Sequence, residues 1–293
     1  MRPSSRTAAG AGGILCAVPD ERRAAVLGRP IGHSLSPVLH TAAYGALGLT
    51  GWRYEAVDCG EAGLAGVVDG LGPEWVGLSL TMPLKRAALA VADEVSPLAA
   101  AVGAANTLLL AGRRRADNTD VAGIVAALRE AGVGQAARAL VLGAGGTAPA
   151  ALAALRELGA TAPTVLVRDA SRTADLRAAA ERLGVAPDIR TGLGDLPPAD
   201  VVISTLPAGA ADGLRVAPVA TAVLDVVYTP WPTPFAARAA ATGARVASGL
   251  AMLLHQAAAQ VELMTGHPAP LDAMRAALAR TAPGSTSPRR AGA

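Results

Sequence analysis

Aromatic residues are scarce in this chain of 293 residues, in which three Trp, three Tyr and one Phe make up 2% of the sequence. Proteins that bind single-stranded nucleic acid stack bases on aromatic side chains, so this scarcity argues against such a surface. Charged residues are also few, at 17%, and the formal net charge is +3. The arginine clusters at 113–115 and 289–290 are short enough to be solvated turns. We therefore expect no nucleic-acid partner.

Cysteine and histidine are nearly missing as well, with two Cys and four His. Cys16 and Cys59 form no C-x-x-C pair, so neither a disulfide framework nor a zinc site is expected. No uninterrupted apolar run reaches the length of about 18 residues that a membrane span needs. The apolar stretch at 10–18 is a poor signal peptide, because glycines dilute it and charged residues follow it. We therefore expect a cytoplasmic protein without a bound metal or a membrane partner.

Apolar residues, in contrast, make up 52% of the chain, which is enough for a substantial core. Short β-rich runs alternate with longer helical runs. Strands are predicted at 24–27, 54–57, 75–80, 107–110, 138–142, 164–167, 200–204 and 222–227. Helices are predicted at 37–47, 84–91, 121–131, 147–158, 173–183 and 250–265. This alternation is typical of an α/β fold with parallel sheets and helices on both faces.

The alternation restarts near residue 121, which indicates two domains. We predict a first domain at 24–120 and a second at 121–247. The helices at 248–280 are expected to pack back on the first domain, and the Pro- and Gly-rich ends at 1–23 and 281–293 are expected to be disordered tails.

A glycine-rich turn between the strand at 138–142 and the following helix is the strongest motif that the residues give by themselves. It reads Gly143-Ala144-Gly145-Gly146-Thr147-Ala148 and fits G-x-G-x-x-A. Gly143 permits a tight turn, Gly145 lets the backbone approach a pyrophosphate, and the small Ala148 lets the helix pack close to the strand. The phosphates would meet the amide dipoles at the helix N-terminus. The sequence therefore predicts a dinucleotide site.

The residues after the next strand bear on which dinucleotide binds. Arg168 and Arg172 fall where the adenosine ribose should lie, and arginines pair with a 2′-phosphate. Asp169 between them would instead suit a free 2′-hydroxyl. Two arginines outweigh one carboxylate, so NADP is preferred over NAD.

Polar groups in the first half form a second set of candidates. Ser34 and Ser36 are two apart, so both hydroxyls would face one side of an extended segment. Lys85 follows a probable strand end, where ligand sites of α/β sheets gather. Structural alternatives exist for each: Ser36 and Asp120 could be helix caps, and a lone lysine is usually a surface residue.

Taken together, these segments resemble the shikimate dehydrogenase family over nearly all of residues 24–280. The matching motifs are P-I-x-H-S-x-S-P at 30–37, T-x-P-x-K at 81–85, Asn106-Thr107, D-N-T-D at 117–120, the glycine turn with its arginines, Tyr228 with Thr233-Pro234, and the segment from Gly249 to Gln256. Departures occur where Ser79 and Thr41 replace the usual Asn, and where Val167 and Asp169 interrupt the usual Asn-Arg-Thr.

The resemblance implies a substrate-binding α/β domain and a Rossmann-type doubly wound NADP-binding domain with a cleft between them. It implies catalysis by Lys85 and Asp120. The implied substrate-binding residues are Ser34, Ser36, Thr81, Lys85, Asn106, Asp120, Tyr228 and Gln256. Beside the glycine turn and the two arginines, the implied cofactor-binding residues are Thr205, Gly249 and Met252.

The implied reaction is the NADP-dependent reduction of 3-dehydroshikimate to shikimate. Lys85 would give a proton to the ketone oxygen, because a lysine carries a proton at neutral pH. A quinate/shikimate dehydrogenase that uses NAD is the nearest alternative, and a non-catalytic metabolite sensor on the same scaffold is a second one. A homodimer is the candidate assembly.

Overall fold

The computed structural model describes residues 21–194, 196–215 and 222–281, which form two six-stranded sheets with helices around them. The strands are β1 (Arg22–Gly28), β2 (Trp52–Asp58), β3 (Trp75–Leu80), β4 (Glu94–Val95), β5 (Thr107–Leu109), β6 (Arg115–Asp117), β7 (Ala139–Leu142), β8 (Thr164–Val167), β9 (Asp188–Thr191), β10 (Val201–Ser204), β11 (Ala222–Asp225) and β12 (Arg245–Ser248). The α-helices are α1 (Ser36–Ala46), α2 (Leu64–Asp69), α3 (Pro97–Val102), α4 (Asp120–Glu130), α5 (Ala148–Glu157), α6 (Ala174–Leu183), α7 (Pro234–Ala241), α8 (Gly249–Thr265) and α9 (Leu271–Thr281).

The first sheet has the strand order β2-β1-β3-β5-β6-β4 and is mixed. β1 is parallel to both β2 and β3, whereas β5 is antiparallel to β3 and to β6. The prediction of a parallel sheet is therefore wrong for this half. The chain between β5 and β6 is far shorter than the dozen or so residues that a crossover needs, so these strands can pair only as a hairpin.

The second sheet is parallel throughout, with the order β12-β11-β10-β7-β8-β9. The chain enters at β7 in the middle, extends to one edge through β8 and β9, and then returns to build the other edge. This is the doubly wound Rossmann arrangement, whose ligands bind at the carboxyl ends of the strands where the order reverses, here between β7 and β10. All four residues of β7, β10 and β11 are buried, as expected for strands covered on both faces.

The C-terminal helices pack on helices that belong to the first half of the chain. α8 contacts α4 and α1, and α9 contacts α1. Leu39 and Ala43 of α1 share an apolar cluster with Leu254 of α8 and Met274 of α9. None of the described helices has the length and apolar content needed to cross a membrane.

α4 packs closely against α8 at Gly123. A Cβ atom at Gly123 would lie 2.7 Å from the Met252 carbonyl oxygen and 3.0 Å from Cβ of Gln256. Any larger side chain would push α8 away, because backbone atoms cannot yield at that distance. Gly123 thus sets the depth at which α8 brings Met252 and Gln256 to the site described below.

Several helices, strands and tails predicted from the sequence differ from the observed ones in extent or type. The helix predicted at 84–91 is wrong, because only a 3₁₀ turn at Ala87–Ala90 forms there. Arg22 and Arg23 belong to β1 and Thr281 belongs to α9, so the predicted tails are too long at their inner ends. The rest of both tails, including the cluster at 289–290, lies outside the described residues. Several short elements were not predicted from the sequence, namely α2, α3, α7, β4, β6, β9 and β12.

The arginine cluster at 113–115 lies on the surface and is paired with carboxylates. Its members contact Glu94, Asp69 and Asp117 in order, at distances between 2.8 and 3.3 Å. These contacts agree with the solvated-turn interpretation of the cluster.

Candidate active site

A cavity of about 380 Å³ lies between the two sheets. The carboxyl end of β3, the start of α4, the glycine turn before α5, the loop after β11 and the first turns of α8 surround it. Its walls include most of the predicted site residues: Ser34, Ser36, Thr81, Lys85, Asn106, Asp120, Thr147, Tyr228, Gly249, Met252 and Gln256.

Lys85 and Asp120 form an ion pair on the cavity wall, with Nζ 2.6 Å from Oδ2. Lys85 lies on the turn after β3, and Asp120 is the first residue of α4. The side chains are 20% and 6% exposed, so the pair is largely shielded from solvent. The Asp120 carboxylate does not cap its helix, so the capping alternative is wrong. Lys85 is likewise not an ordinary surface lysine.

Asn106 joins the ion pair to α8. Its Nδ2 donates to Oδ1 of Asp120 at 3.0 Å, to Oε1 of Gln256 at 3.1 Å and to Oγ1 of Thr119 at 2.9 Å. Its Oδ1 accepts the backbone N–H of Thr119 at 2.8 Å, which fixes the orientation of the amide because a backbone N–H can only donate. The carboxylate of Asp120 therefore has one oxygen on Lys85 and the other on Asn106.

Asn118 holds Asp120 in this position. Its Oδ1 accepts the backbone N–H of Asp120 at 3.0 Å, and its Nδ2 donates to the carbonyl of Ala104 at 2.8 Å. Asn118 is buried, so the segment at 117–120 is fixed from both sides.

Ser34 and Ser36 also line the cavity, where β1 leads into α1. The segment is a turn that leads into a helix, so the extended geometry predicted for it is wrong, although both residues still line one cavity. Ser34 Oγ accepts the backbone N–H of Ser36 at 3.3 Å. α1 begins at Ser36 without a side-chain cap, so the cap interpretation of Ser36 is wrong too.

The glycine turn has open space at the positions that the motif requires. Gly143 has φ +97°, and a Cβ there would lie 2.9 Å from Oγ1 of Thr205. A Cβ at Gly145 or at Gly146 would meet nothing within 4 Å. Thr205 follows β10 and donates to the carbonyl of Leu142 at 2.8 Å, which ties the ends of β7 and β10 together. The turn therefore leaves open space in front of the N-terminus of α5, where backbone N–H groups are available to an anion.

Arg168 and Arg172 are exposed beyond the end of β8, and neither pairs with a carboxylate within the part of the chain that the structure describes. Asp169 is engaged locally: its Oδ1 accepts the hydroxyl of Ser171 at 2.7 Å and the backbone N–H of Ser171 at 2.9 Å. The hydroxyl bond, followed by the amide bond, lowers the pKa of Asp169. Asp169 thus caps a turn through Ser171 and forms no salt bridge with either arginine.

The wall near the start of α8 depends on a close backbone contact. A Cβ at Gly249 would lie 2.1 Å from the carbonyl oxygen of Val226, so no side chain fits there. The loop after β11 is held by Asp225, whose carboxylate accepts the hydroxyl of Thr233 at 2.7 Å and the backbone N–H of Val227 at 3.2 Å. Burial is the largest influence on Asp225 and raises its pKa.

The structure gathers the substrate-side predictions in one cavity, whereas Arg168, Arg172 and most of the glycine turn lie outside its lining. Ser79 and Gln260 line the cavity too, although neither is among the site residues predicted from the sequence. Gln260 could have been found, because it lies four residues after Gln256 and so shares its helix face.

Comparison with known proteins gives a consistent picture. Residues 26–108 match the family model described as shikimate dehydrogenase substrate binding domain, and residues 249–279 match the one described as shikimate 5'-dehydrogenase C-terminal domain. The chain is 37% identical over 279 residues to a shikimate dehydrogenase (NADP(+)) of Moorella thermoacetica, with 90% of this chain and 94% of the relative covered.

Two solved structures are similar over nearly their whole length. The shikimate dehydrogenase of Mycobacterium tuberculosis is 50% identical, with a TM-score of 0.81 and coverage of 88% of this chain and 99% of that one. The shikimate 5-dehydrogenase of Thermus thermophilus, solved in complex with NADP(H) and shikimate, is 37% identical, with a TM-score of 0.77 and the same coverage.

Proposed function

Because the chain belongs to the shikimate dehydrogenase family, we propose that it catalyses the reversible, NADP-dependent reduction of 3-dehydroshikimate to shikimate, a step of aromatic amino acid biosynthesis. The observation that carries the proposal is the contact between the ammonium of Lys85 and the carboxylate of Asp120, on the wall of a cavity that also reaches the glycine-rich turn.

In this reaction a ketone carbon gains a hydride and its oxygen gains a proton. Lys85 can deliver that proton, since its ammonium faces the cavity and Asp120 holds it at 2.6 Å. In the reverse direction the amine accepts the proton from the substrate hydroxyl. The shielded position of the pair strengthens its attraction for negative charge that develops on the oxygen.

The remaining polar groups suit a small polyhydroxylated carboxylate. Ser34 and Ser36 offer hydroxyl donors to a carboxylate. Asn106, Thr81 and Gln256, which line the same cavity, offer hydrogen bonds to ring hydroxyls. A buried group left without its partner costs free energy, so a ligand that lacks one hydroxyl should be rejected strongly.

The residues of the second half fit NADP. Gly145 and Gly146 leave room for the pyrophosphate, and Arg168 and Arg172 can pair with a 2′-phosphate. We propose that Thr205, Gly249 and Met252 bound the end of the cofactor that faces Lys85. When bound, the cofactor supplies the hydride, and the protein supplies alignment and charge stabilisation.

The test is the absorbance change at 340 nm with each of shikimate and quinate against each of NADP and NAD. We expect the highest kcat/KM for shikimate with NADP. A preference for quinate or for NAD would assign the chain to the quinate/shikimate alternative. No turnover with any pair would leave the metabolite-sensing alternative.

Several predictions go further than the family assignment. We propose domain boundaries at 24–120 and 121–247, with the segment at 248–280 assigned to the first domain. Support for them comes from the first sheet ending at Asp117 and the second beginning at Ala139. The cytoplasmic location, the homodimer and the lack of nucleic-acid and membrane partners remain predictions, which cell fractionation, light scattering and binding assays can test.

A further inference from the structure

A continuous series of hydrogen bonds runs along the cavity wall from Tyr54 of β2, behind the wall, to the ion pair. Its members in order are Tyr54, Ser79, Gln260, Thr107, Asn106 and Asp120. The consecutive donor–acceptor distances are 2.6, 2.7, 3.0, 2.9 and 3.0 Å. Each of these residues is buried. The proposed reaction does not use the first three, so their arrangement requires its own explanation.

The direction of the series follows from its fixed groups. Gln260 Nε2 lies 3.0 Å from the backbone carbonyl of Asn106, which can only accept, so that atom must be the nitrogen. Oε1 of Gln260 therefore faces Ser79, and the single hydroxyl proton of Ser79 is committed to it. Ser79 consequently can only accept from its other neighbour, so Tyr54 must donate.

Tyr54 is held in the state that this direction requires. Burial raises the pKa of Tyr54 well above its ordinary value, so the hydroxyl keeps its proton. Its ring stacks on His40 with centroids 4.0 Å apart and an interplanar angle of 14°, which fixes where the hydroxyl points. Tyr54 itself is not among the residues that line the cavity.

We propose that Tyr54 is a positioning residue for substrate binding, acting through Ser79 and Gln260 on the segment Asn106–Thr107. Its hydroxyl aligns Ser79 and Gln260, and Gln260 in turn fixes the two residues that present the Asn106 amide to Asp120. Because Ser79 donates its hydroxyl proton to Gln260, Ser79 can offer a substrate only a lone pair. It therefore suits a substrate hydroxyl and not the carboxylate.

Tyr54→Phe tests the inference, because it deletes only the hydroxyl and keeps the stacking on His40. Tyr44→Phe is the matched control: Tyr44 lies in the same aromatic cluster, with ring centroids 6.5 Å from Tyr54, and its buried hydroxyl has no partner among the described residues. We expect Tyr54→Phe to raise KM for shikimate about three- to tenfold, with KM for NADP unchanged. Tyr44→Phe should leave both KM values within about 1.5-fold.

A double-mutant cycle with Ser79→Ala separates positioning from a general loss of stability. Without Ser79 Oγ, Tyr54 is no longer connected to Gln260 by hydrogen bonds. Adding Tyr54→Phe to Ser79→Ala should therefore change KM for shikimate by less than about 1.5-fold. The inference would be overturned if the two substitutions raised KM for shikimate by independent factors that multiply in the double variant. It would also be overturned if Tyr54→Phe and Tyr44→Phe had the same KM for shikimate.

The inference rests on the proposed function, and calorimetric titration with shikimate keeps the two apart. If wild type binds shikimate but does not oxidise it, the proposed activity fails, and the same comparison of variants is made on Kd. If wild type is active and Tyr54→Phe is unaltered, only the inference fails. If wild type neither binds nor oxidises shikimate, both are wrong.

Discussion

Replacing Asp120 by Asn tests the centre of the site with almost no change in shape. The carboxylate accepts hydrogen bonds from Lys85 on one oxygen and from Asn106 on the other. The ammonium of Lys85 and the Nδ2 group of Asn106 can only donate, and the amide of a new Asn side chain has one accepting oxygen. Whichever way the new amide turns, its NH₂ group therefore faces a donor, and either the ammonium or the Asn106 amide loses its partner.

The size of the effect follows from burial. Removing one partner of a fully buried ion pair costs about 3–5 kcal/mol, whereas an exposed pair contributes about 0–1 kcal/mol. Lys85 is 20% exposed and Asp120 6% exposed, so the cost should lie between these limits, at about 2–3 kcal/mol. If that loss falls on the transition state, kcat/KM should drop about 30- to 150-fold.

The assay is steady-state oxidation of shikimate at saturating NADP, followed at 340 nm. Asp175→Asn provides a matched charge control, because Asp175 pairs with Arg86, the neighbour of Lys85, and both side chains are at least 60% exposed. That control should stay within about twofold of wild type. An Asp120→Asn enzyme within threefold of wild type would refute the reasoning, and so would an equal loss in Asp175→Asn.

Five other substitutions have expected outcomes that follow from the same structure. Lys85→Ala should lower kcat about 10²–10⁴-fold with little change in KM for shikimate; near-normal turnover would exclude Lys85 from the chemistry. Arg168→Ala and Arg172→Ala should each raise KM for NADP at least about tenfold and leave KM for NAD nearly unchanged, whereas equal losses would show that they do not read the 2′-phosphate. Gly123→Ala should lower Tm by about 2–10 °C in a thermal melt, because overpacking costs about 1–3 kcal/mol; an unaltered Tm would mean that α4 and α8 can separate freely. Burial lowers the pKa of His40 to about 3, below the unfolded value of about 6.5, so the unfolded chain binds the proton first. Stability should therefore fall by about 1.4 kcal/mol per pH unit as pH drops below about 6, and His40→Gln should flatten that slope in urea titrations; an unchanged slope would assign the acid sensitivity to other groups.

The order of elements could be predicted where a run of residues has a strong pattern of its own. The strand at 75–80 was predicted with its observed limits, because Trp75, Val76, Leu78 and Leu80 make this short run largely apolar. Short elements were not predicted, because they have no such pattern of their own. β4 has two residues and β6 has three, which is shorter than the four or so residues over which an alternating pattern can be recognised, so only their neighbours in the sheet make them strands.

The glycine turn and the polar motifs around Lys85 and Asp120 were determined by the sequence alone, because each depends on residues that are adjacent in the chain. A turn that needs φ of +97° demands glycine at position 143, whatever lies around it. Adjacent residues carry such local requirements, and a single sequence is enough to read them.

Which of those motifs meet was decided only by the tertiary structure. Lys85 and Asp120 are 35 residues apart, and Asn106 reaches Gln256 across 150 residues. No periodicity encodes distances of that kind, because they depend on how β3, α4 and α8 pack, and in particular on the missing side chain of Gly123. The physical reason is that a hydrogen bond requires positions accurate to a few tenths of an ångström, which only the packed core provides.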